Sequence, residues 1–158
     1  EVAPLDLNAL IGEVLGLYET ASATIAVHLA GGLTPVLGDA TQLRQVIHNL
    51  LRNAEDALEG REQARIDIAT DKDGRSAKLT IADNGPGFPV ELLPRIFEPY
   101  VTTKARGTGL GLPIVKKIVD EHLGRIEINN SPAGGARIEI HLPLAKEEEA
   151  KHGHHSGR

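Results

Sequence analysis

Three groups of glycines and one helix bearing two asparagines are where this sequence offers chemistry. Gly107, Gly109 and Gly111 alternate through Gly107-Thr108-Gly109-Leu110-Gly111-Leu112 and run straight into a predicted helix. Glycines at a helix start leave backbone N–H groups facing a bound anion, and the helix dipole adds to the attraction; the plainer reading is a hinge. The run is neither a Walker loop nor a dinucleotide fingerprint, since no G-x-x-x-x-G-K-[ST] occurs and G-x-G-x-x-G is not matched. Asp83-Asn84-Gly85-Pro86-Gly87 follows directly on a predicted strand. Asn-Gly commonly makes a turn, but an aspartate at a strand end can also accept a hydrogen bond from a ligand amine while the glycines let backbone come close. Thr102, Thr103, Lys104 and Arg106 stand just ahead of the alternating glycines. Two hydroxyls and two cations there suit a lid that folds over phosphates, or else a charged surface loop.

The asparagines lie on the clearest helix of the chain, predicted from Asp39 to Glu59. Asp39 and Gln42 form a capping-box arrangement with Asp in place of Ser or Thr, and Gly60 supplies the stop. At about 100° per residue, Leu43, Val46, Ile47, Leu50, Leu51, Ala54, Ala57 and Leu58 share one arc. Gln42, Gln45, Asn49, Arg52, Asn53 and Asp56 share the opposite one, so Asn49 and Asn53 stack one turn apart. Such a face is ordinarily just solvated. Asn, however, is a poor helix former that a wet face does not need, and its side-chain oxygen is a hard neutral ligand suited to magnesium.

The elements that must position these groups follow from the pattern. Asp6 caps a helix reaching about Tyr18, with Leu7, Leu10, Ile11, Val14 and Leu15 on its apolar side. Strands are predicted at Thr24–Leu29, briefly at Val36-Leu37, at Arg65–Thr70 and at Ala77–Asp83, the last two joined by a turn over Asp71-Lys72-Asp73-Gly74. Residues 84 to 107 read as a long loop with a helical turn at Val90–Ile96, and a loop of that length is usually functional. A helix over Leu110–Glu121 tolerates Pro113 in its first turn. Strands at Arg125–Asn129 and Ala136–Leu142 complete an α/β sandwich, one mixed sheet covered by helices on one face. Residues 145–158 are charged, His-rich and expected to be disordered.

Composition narrows the function classes. The 158 residues include no Cys, Met or Trp, which removes disulfides, thiol chemistry and Cys-ligated zinc. With 17 basic and 22 acidic side chains the formal net charge is −5, and only two Phe and two Tyr are present, which argues against a nucleic-acid groove. No apolar run approaches the roughly 18 residues of a membrane span. The chain starts at Glu1 without a signal peptide and is expected to be a piece of something longer. The 17 glycines exceed average usage, and the informative ones cluster in the C-terminal half.

Taken in order, these motifs resemble the ATP-binding catalytic domain of sensor histidine kinases, within the superfamily that includes gyrase, heat-shock-90 chaperones and mismatch-repair ATPases. Asn49-Leu50-Leu51-Arg52-Asn53-Ala54 matches the asparagine box, Asp83 to Gly87 the first glycine box, Phe97-Glu98-Pro99-Tyr100 the phenylalanine box, Gly107 to Leu112 the second glycine box and Gly134-Gly135 the third. The match spans residues from about 1 to 144, taken as one ATP-binding catalytic domain, and looks most like the nitrogen-regulation type. The resemblance implies an α+β, Bergerat-type fold: a mixed, mostly antiparallel sheet covered on one face by about three helices, with a long ATP lid. It implies Mg2+ held by Asn53 with Asn49 in support, and Asp83 accepting the adenine amino group beside Gly85 and Gly87. It implies a phosphate cradle from Gly107, Thr108, Gly109, Leu110 and Gly111, and lid contacts from Thr102, Thr103, Lys104 and Arg106. Asn49, Asn53 and Lys104 then form the catalytic set.

Some positions depart from the family pattern. Many members carry a basic residue three after the second Asn, where this chain has Asp56; Asp56 joins the nucleotide-binding set as a carboxylate, and cation duty passes to Lys104 and Arg106. Ala136 stands where Thr often follows the third box, and His122-Leu123-Gly124 replaces a common His-Gly-Gly. The resemblance implies transfer of the γ-phosphoryl group of ATP to a histidine on a separate dimerisation and phosphoacceptor hairpin. None of the seven His has the acidic neighbour of such an acceptor, so that domain is expected to lie before Glu1, with a response regulator further downstream. A cytoplasmic setting is implied, with no contact to nucleic acid or membrane. The alternatives are an ATPase or ATP-gated clamp, a nucleotide-sensing module, or an anti-sigma-type serine kinase. ATPase members place Glu at the position of Asn49 to activate water, and Asn cannot take that proton.

Overall fold

The computed structural model describes residues 1–17, 23–101 and 111–146. It contains, in order, β1 (Ala3–Leu5), α1 (Leu7–Leu17), β2 (Thr24–His28), β3 (Val36–Gly38), α2 (Ala40–Ala57), β4 (Arg65–Asp73), β5 (Ser76–Asp83), a turn of 3-10 helix (Val90–Arg95), α3 (Gly111–Glu121), β6 (Arg125–Asn130) and β7 (Ala136–Pro143).

Five strands form one mixed sheet in the order β2-β4-β5-β7-β6; β2 runs parallel to β4 and every other pairing is antiparallel. The side chains explain which face is covered. Ile66 and Ile68 on β4, Leu79 and Ile81 on β5, and Ile138 and Ile140 on β7 point one way and are buried with Leu7, Ile11, Leu43, Ile47, Leu50, Leu51, Val115 and Val119 of the three helices in one core. The alternate positions carry the ion pairs Arg65–Asp67, Arg125–Glu127 and Arg137–Glu139, so that face is polar. Removing a fully buried Leu such as Leu50 from this layer costs about 2–5 kcal/mol.

Helix α2 starts where the capping residue dictates. Asp39 has extended backbone dihedrals, its Oδ1 accepts from the Gln42 N–H at 3.0 Å, and the Glu1 amino group donates to its other oxygen. These bonds, the amino terminus first and Gln42 next, hold the Asp39 carboxyl below its ordinary pKa. The start is also tied to α3: the Asp39 N–H donates to His122 Nε2 at 3.0 Å, and His122 Nδ1 lies 2.8 Å from the Ile118 carbonyl. Nε2 must be the acceptor, so Nδ1 carries the proton.

Several expectations shift. β1, which pairs antiparallel with β3 from Ala3↔Gly38 to Leu5↔Val36, was not expected; three residues containing Pro4 show no alternation. The β4–β5 turn sits at Gly74-Arg75, since pairing continues to Asp73↔Ser76. Ala57, expected in the core, is half-buried at the helix end. β6 runs one residue further, to Asn130. Ala145, assigned by composition to the tail, is 5 % exposed, and its N–H donates to the Pro35 carbonyl at 2.8 Å. Tyr18, the lid residues Thr102, Thr103, Lys104, Arg106, Gly107, Thr108, Gly109 and Leu110, and residues 147–158 lie outside the described residues. No helix among the described residues is long and apolar enough to cross a membrane.

Candidate functional site

The motifs converge on one end of the sheet, where β5 stops and three segments meet. Asp83 ends β5 with its side chain inward, 8 % exposed. One carboxylate oxygen, Oδ1, accepts from the Gly85 N–H at 2.8 Å and from the Ala136 N–H at 3.3 Å. The other, Oδ2, has no hydrogen-bond partner among the described residues. A nearly buried carboxylate oxygen left that way is costly unless a ligand donor reaches it.

The third glycine group explains how Asp83 is gripped. Gly135 has φ +89°, and a Cβ there would run into the Asp83 carbonyl and lie 3.0 Å from the Asn84 Cα. Only glycine lets the turn before β7 press against the end of β5, and that approach delivers the Ala136 N–H to Asp83. Gly85 meets α2 in a similar way, since a Cβ on it would lie 3.0 Å from the Ala57 carbonyl oxygen. The C-terminal end of α2, one turn beyond Asn53, therefore abuts the first glycine group. Asn49, Asn53 and Asp56 are half-buried on the face of α2 that does not enter the core.

A small second core closes the far side. Phe88, Ile96 and Ala136 are buried together, with Leu93, Phe97, Leu112 and Ile128 packed on them. It joins the first glycine group, the phenylalanine segment, the start of α3 and the third glycine group. Lys116 Nζ lies 5.8 Å from the Phe97 ring centroid, within cation–π reach, while Tyr100 is exposed.

Of the residues proposed from sequence, the structure brings Asp83, Gly85, Gly87 and the end of the Asn49/Asn53/Asp56 helix together at one end of the sheet. Gly111 is the first described residue of α3, and a Cβ there would meet nothing within 4 Å. The donor set tests the implied groups. Among the described residues no three His, Cys, Asp or Glu side chains could hold a metal by themselves. Asn53 and Asp56 offer hard oxygens one turn apart, which fits magnesium, an ion that keeps most of its shell as water and phosphate oxygen. The open Oδ2 of Asp83 fits an adenine amine. Sequence reasoning missed Asn130, whose carboxamide sits against the first glycine group; its only signal was an Asn ending a strand before a glycine turn, which reads as a turn former. Among the described histidines, His28 and His48 are exposed and His122 and His141 are buried.

Residues 38–146 match the family model of histidine kinase-, DNA gyrase B- and HSP90-like ATPases. A protein of Rickettsia conorii named as an NtrY-like sensor histidine kinase is 48 % identical over 106 residues, covering 67 % of this chain and 18 % of its own length. The chain thus spans about a fifth of that relative. The solved catalytic domain of the histidine kinase ThkA is 34 % identical with a TM-score of 0.81, covering 91 % of this chain and 96 % of that one. ThkA has also been solved in complex with the response regulator TrrA (30 % identity, TM-score 0.77, 91 % of this chain and 42 % of that one). Full-length ShkA in complex with AMPPNP is 28 % identical with a TM-score of 0.77, covering 92 % of this chain and 32 % of that one.

Proposed function

The chain belongs to the family of histidine kinase-, DNA gyrase B- and HSP90-like ATPases and is a histidine kinase catalytic domain, and from that premise we propose that it binds Mg-ATP and transfers the γ-phosphoryl group to a histidine on a separate dimerisation and phosphoacceptor domain. The observation that supports the nucleotide site is Asp83: nearly buried, with two backbone donors on Oδ1 and no partner for Oδ2 among the described residues. That geometry suits an exocyclic amine and penalises a carbonyl at the same place, so it favours adenine over guanine.

ATP supplies the phosphoryl group, and magnesium, when bound, neutralises charge on the phosphates. The chain's own residues bind and orient. Asp83 accepts from the base, and Gly85 and Gly87 leave room for its face. Asn53 would give the metal its protein oxygen, with Asn49 one turn back, and Asp56 belongs to the nucleotide-binding set. Lys104, Arg106, Thr102 and Thr103 close over the terminal phosphates, and the backbone from Gly107 to Gly111 cradles them at the start of α3. Asn49 offers no base for water, which supports transfer to an external nucleophile over hydrolysis. The acceptor histidine belongs to the kinase's own helical domain, and a response regulator takes the phosphoryl group next, as the ThkA–TrrA complex suggests by analogy. The domain works on the cytoplasmic side of a larger sensor.

Calorimetric titration with ATP, ADP and GTP in the presence of magnesium tests the site. The reading expects ATP and ADP to bind at least tenfold tighter than GTP; equal affinities would remove the adenine role of Asp83.

A further inference from the structure

The first glycine group is held by an asparagine on each flank. Asn84 Oδ1 accepts from the Arg65 N–H at 2.8 Å, and its Nδ2 donates to the Gln63 carbonyl at 2.9 Å. On the other side, at the end of β6, Asn130 Oδ1 accepts from the Phe88 N–H at 2.8 Å, and Asn130 Nδ2 donates to the Phe88 carbonyl at 2.8 Å. One carboxamide thus takes both main-chain groups of a residue outside the sheet, as a neighbouring strand would. Gly87 lies at φ +81°, and a Cβ on it would sit 2.8 Å from Asn130 Oδ1.

We propose that Asn130 is a positioning residue for base recognition: a peptide surrogate that fixes Gly87-Phe88 in the conformation that leaves the adenine face open beside Asp83. This rests on the nucleotide-site reading above. Pro86 and Gly87 lie between the Asp83–Gly85 anchor and Phe88, and the proline ring stiffens only the first of them. Without Asn130, Gly87 regains the conformational freedom that glycine has at positive φ, and the base must restore the loop on binding. Among the described residues the Asn130 carboxamide bonds only Phe88, and the proposed phosphate contacts are assigned to other residues.

Two variants test it. Asn130→Ala removes both bonds and should weaken ATP and ADP about tenfold while leaving inorganic tripolyphosphate affinity within about twofold, with faster amide exchange at Phe88. Asn130→Asp keeps the acceptor but sets a carboxylate against the Phe88 carbonyl. The ionised carboxyl cannot donate, so at pH 8 this variant should bind ATP as poorly as Asn130→Ala. Unchanged ATP affinity in both variants would overturn the inference and leave the nucleotide site standing. Equal loss of tripolyphosphate and ATP would also overturn it, by showing a general folding role. Failure of the unmutated chain to prefer ATP over GTP would remove the site reading and this inference together.

Discussion

Asp83 has one job in the structure and a second in the proposed function, and two substitutions separate them. Its Oδ1 accepts from the Gly85 and Ala136 N–H groups in a position 8 % exposed, while Oδ2, without a partner among the described residues, is the atom proposed to meet the base. Asp83→Asn keeps an oxygen for the two backbone donors and puts an NH2 where Oδ2 stood. An adenine amine would then face a donor instead of an acceptor. Loss of one hydrogen bond to a charged group, roughly 1.5–3 kcal/mol, corresponds to an ATP affinity about 10- to 150-fold weaker. Guanine presents a carbonyl at that place, so GTP should lose less and the preference should narrow. Folding stability should change by less than about 1 kcal/mol. Asp83→Ala loses the ligand bond and also orphans two buried N–H groups at roughly 1–3 kcal/mol each, for about 2–6 kcal/mol of stability. Urea denaturation paired with calorimetry on both variants is the assay. The reasoning is refuted if Asp83→Asn binds ATP like the unmutated chain, or if Asp83→Ala unfolds at the same urea concentration as Asp83→Asn.

Gly135→Ala and Gly134→Ala form a second matched pair. Both have positive φ, 89° and 104°, but a Cβ at Gly134 meets nothing within 4 Å while one at Gly135 meets Asp83 backbone that cannot rotate aside. Gly134→Ala should cost about 1–2 kcal/mol in a denaturation midpoint analysis, and Gly135→Ala about 1–3 kcal/mol more together with weakened ATP binding; equal costs would mean that the close approach is unimportant. Asn53→Ala should abolish the dependence of ATP affinity on magnesium with little change in affinity measured in excess chelator, and an undiminished magnesium effect by calorimetry would sink the metal assignment.

What was legible in the sequence depended on how local the determinant was. The start of α2 was readable because a single acceptor, Asp39, chooses it, and its apolar arc was readable because 3.6-residue periodicity is set by burial against one sheet. The ends of β5 and the placement of Asp83 followed from alternation meeting a Gly-Pro-Gly stop. Ala57 was misplaced because it lies at the edge of the apolar arc, beside Gly85, while its neighbours Ala54 and Leu58 take the core positions. β1 was invisible because its partner β3 is some thirty residues away and it offers no pattern of its own. Asn130 was missed for the same reason: its hydrogen bonds are to Phe88, 42 residues distant, and nothing about an Asn at a strand end distinguishes a clamp from a turn.

The central claim is phosphoryl transfer to a histidine, and one measurement meets it directly. The chain is mixed with the dimerisation and phosphoacceptor helical domain of an NtrY-like kinase and γ-labelled ATP with magnesium, and the label on each polypeptide is followed with time. The account predicts label on the helical domain that is lost in acid and kept in alkali, none on this chain, and roughly 5- to 75-fold less label on the helical domain when Asp83→Asn replaces it at ATP concentrations near the unmutated Kd. Steady release of inorganic phosphate with no labelled helical domain would contradict it.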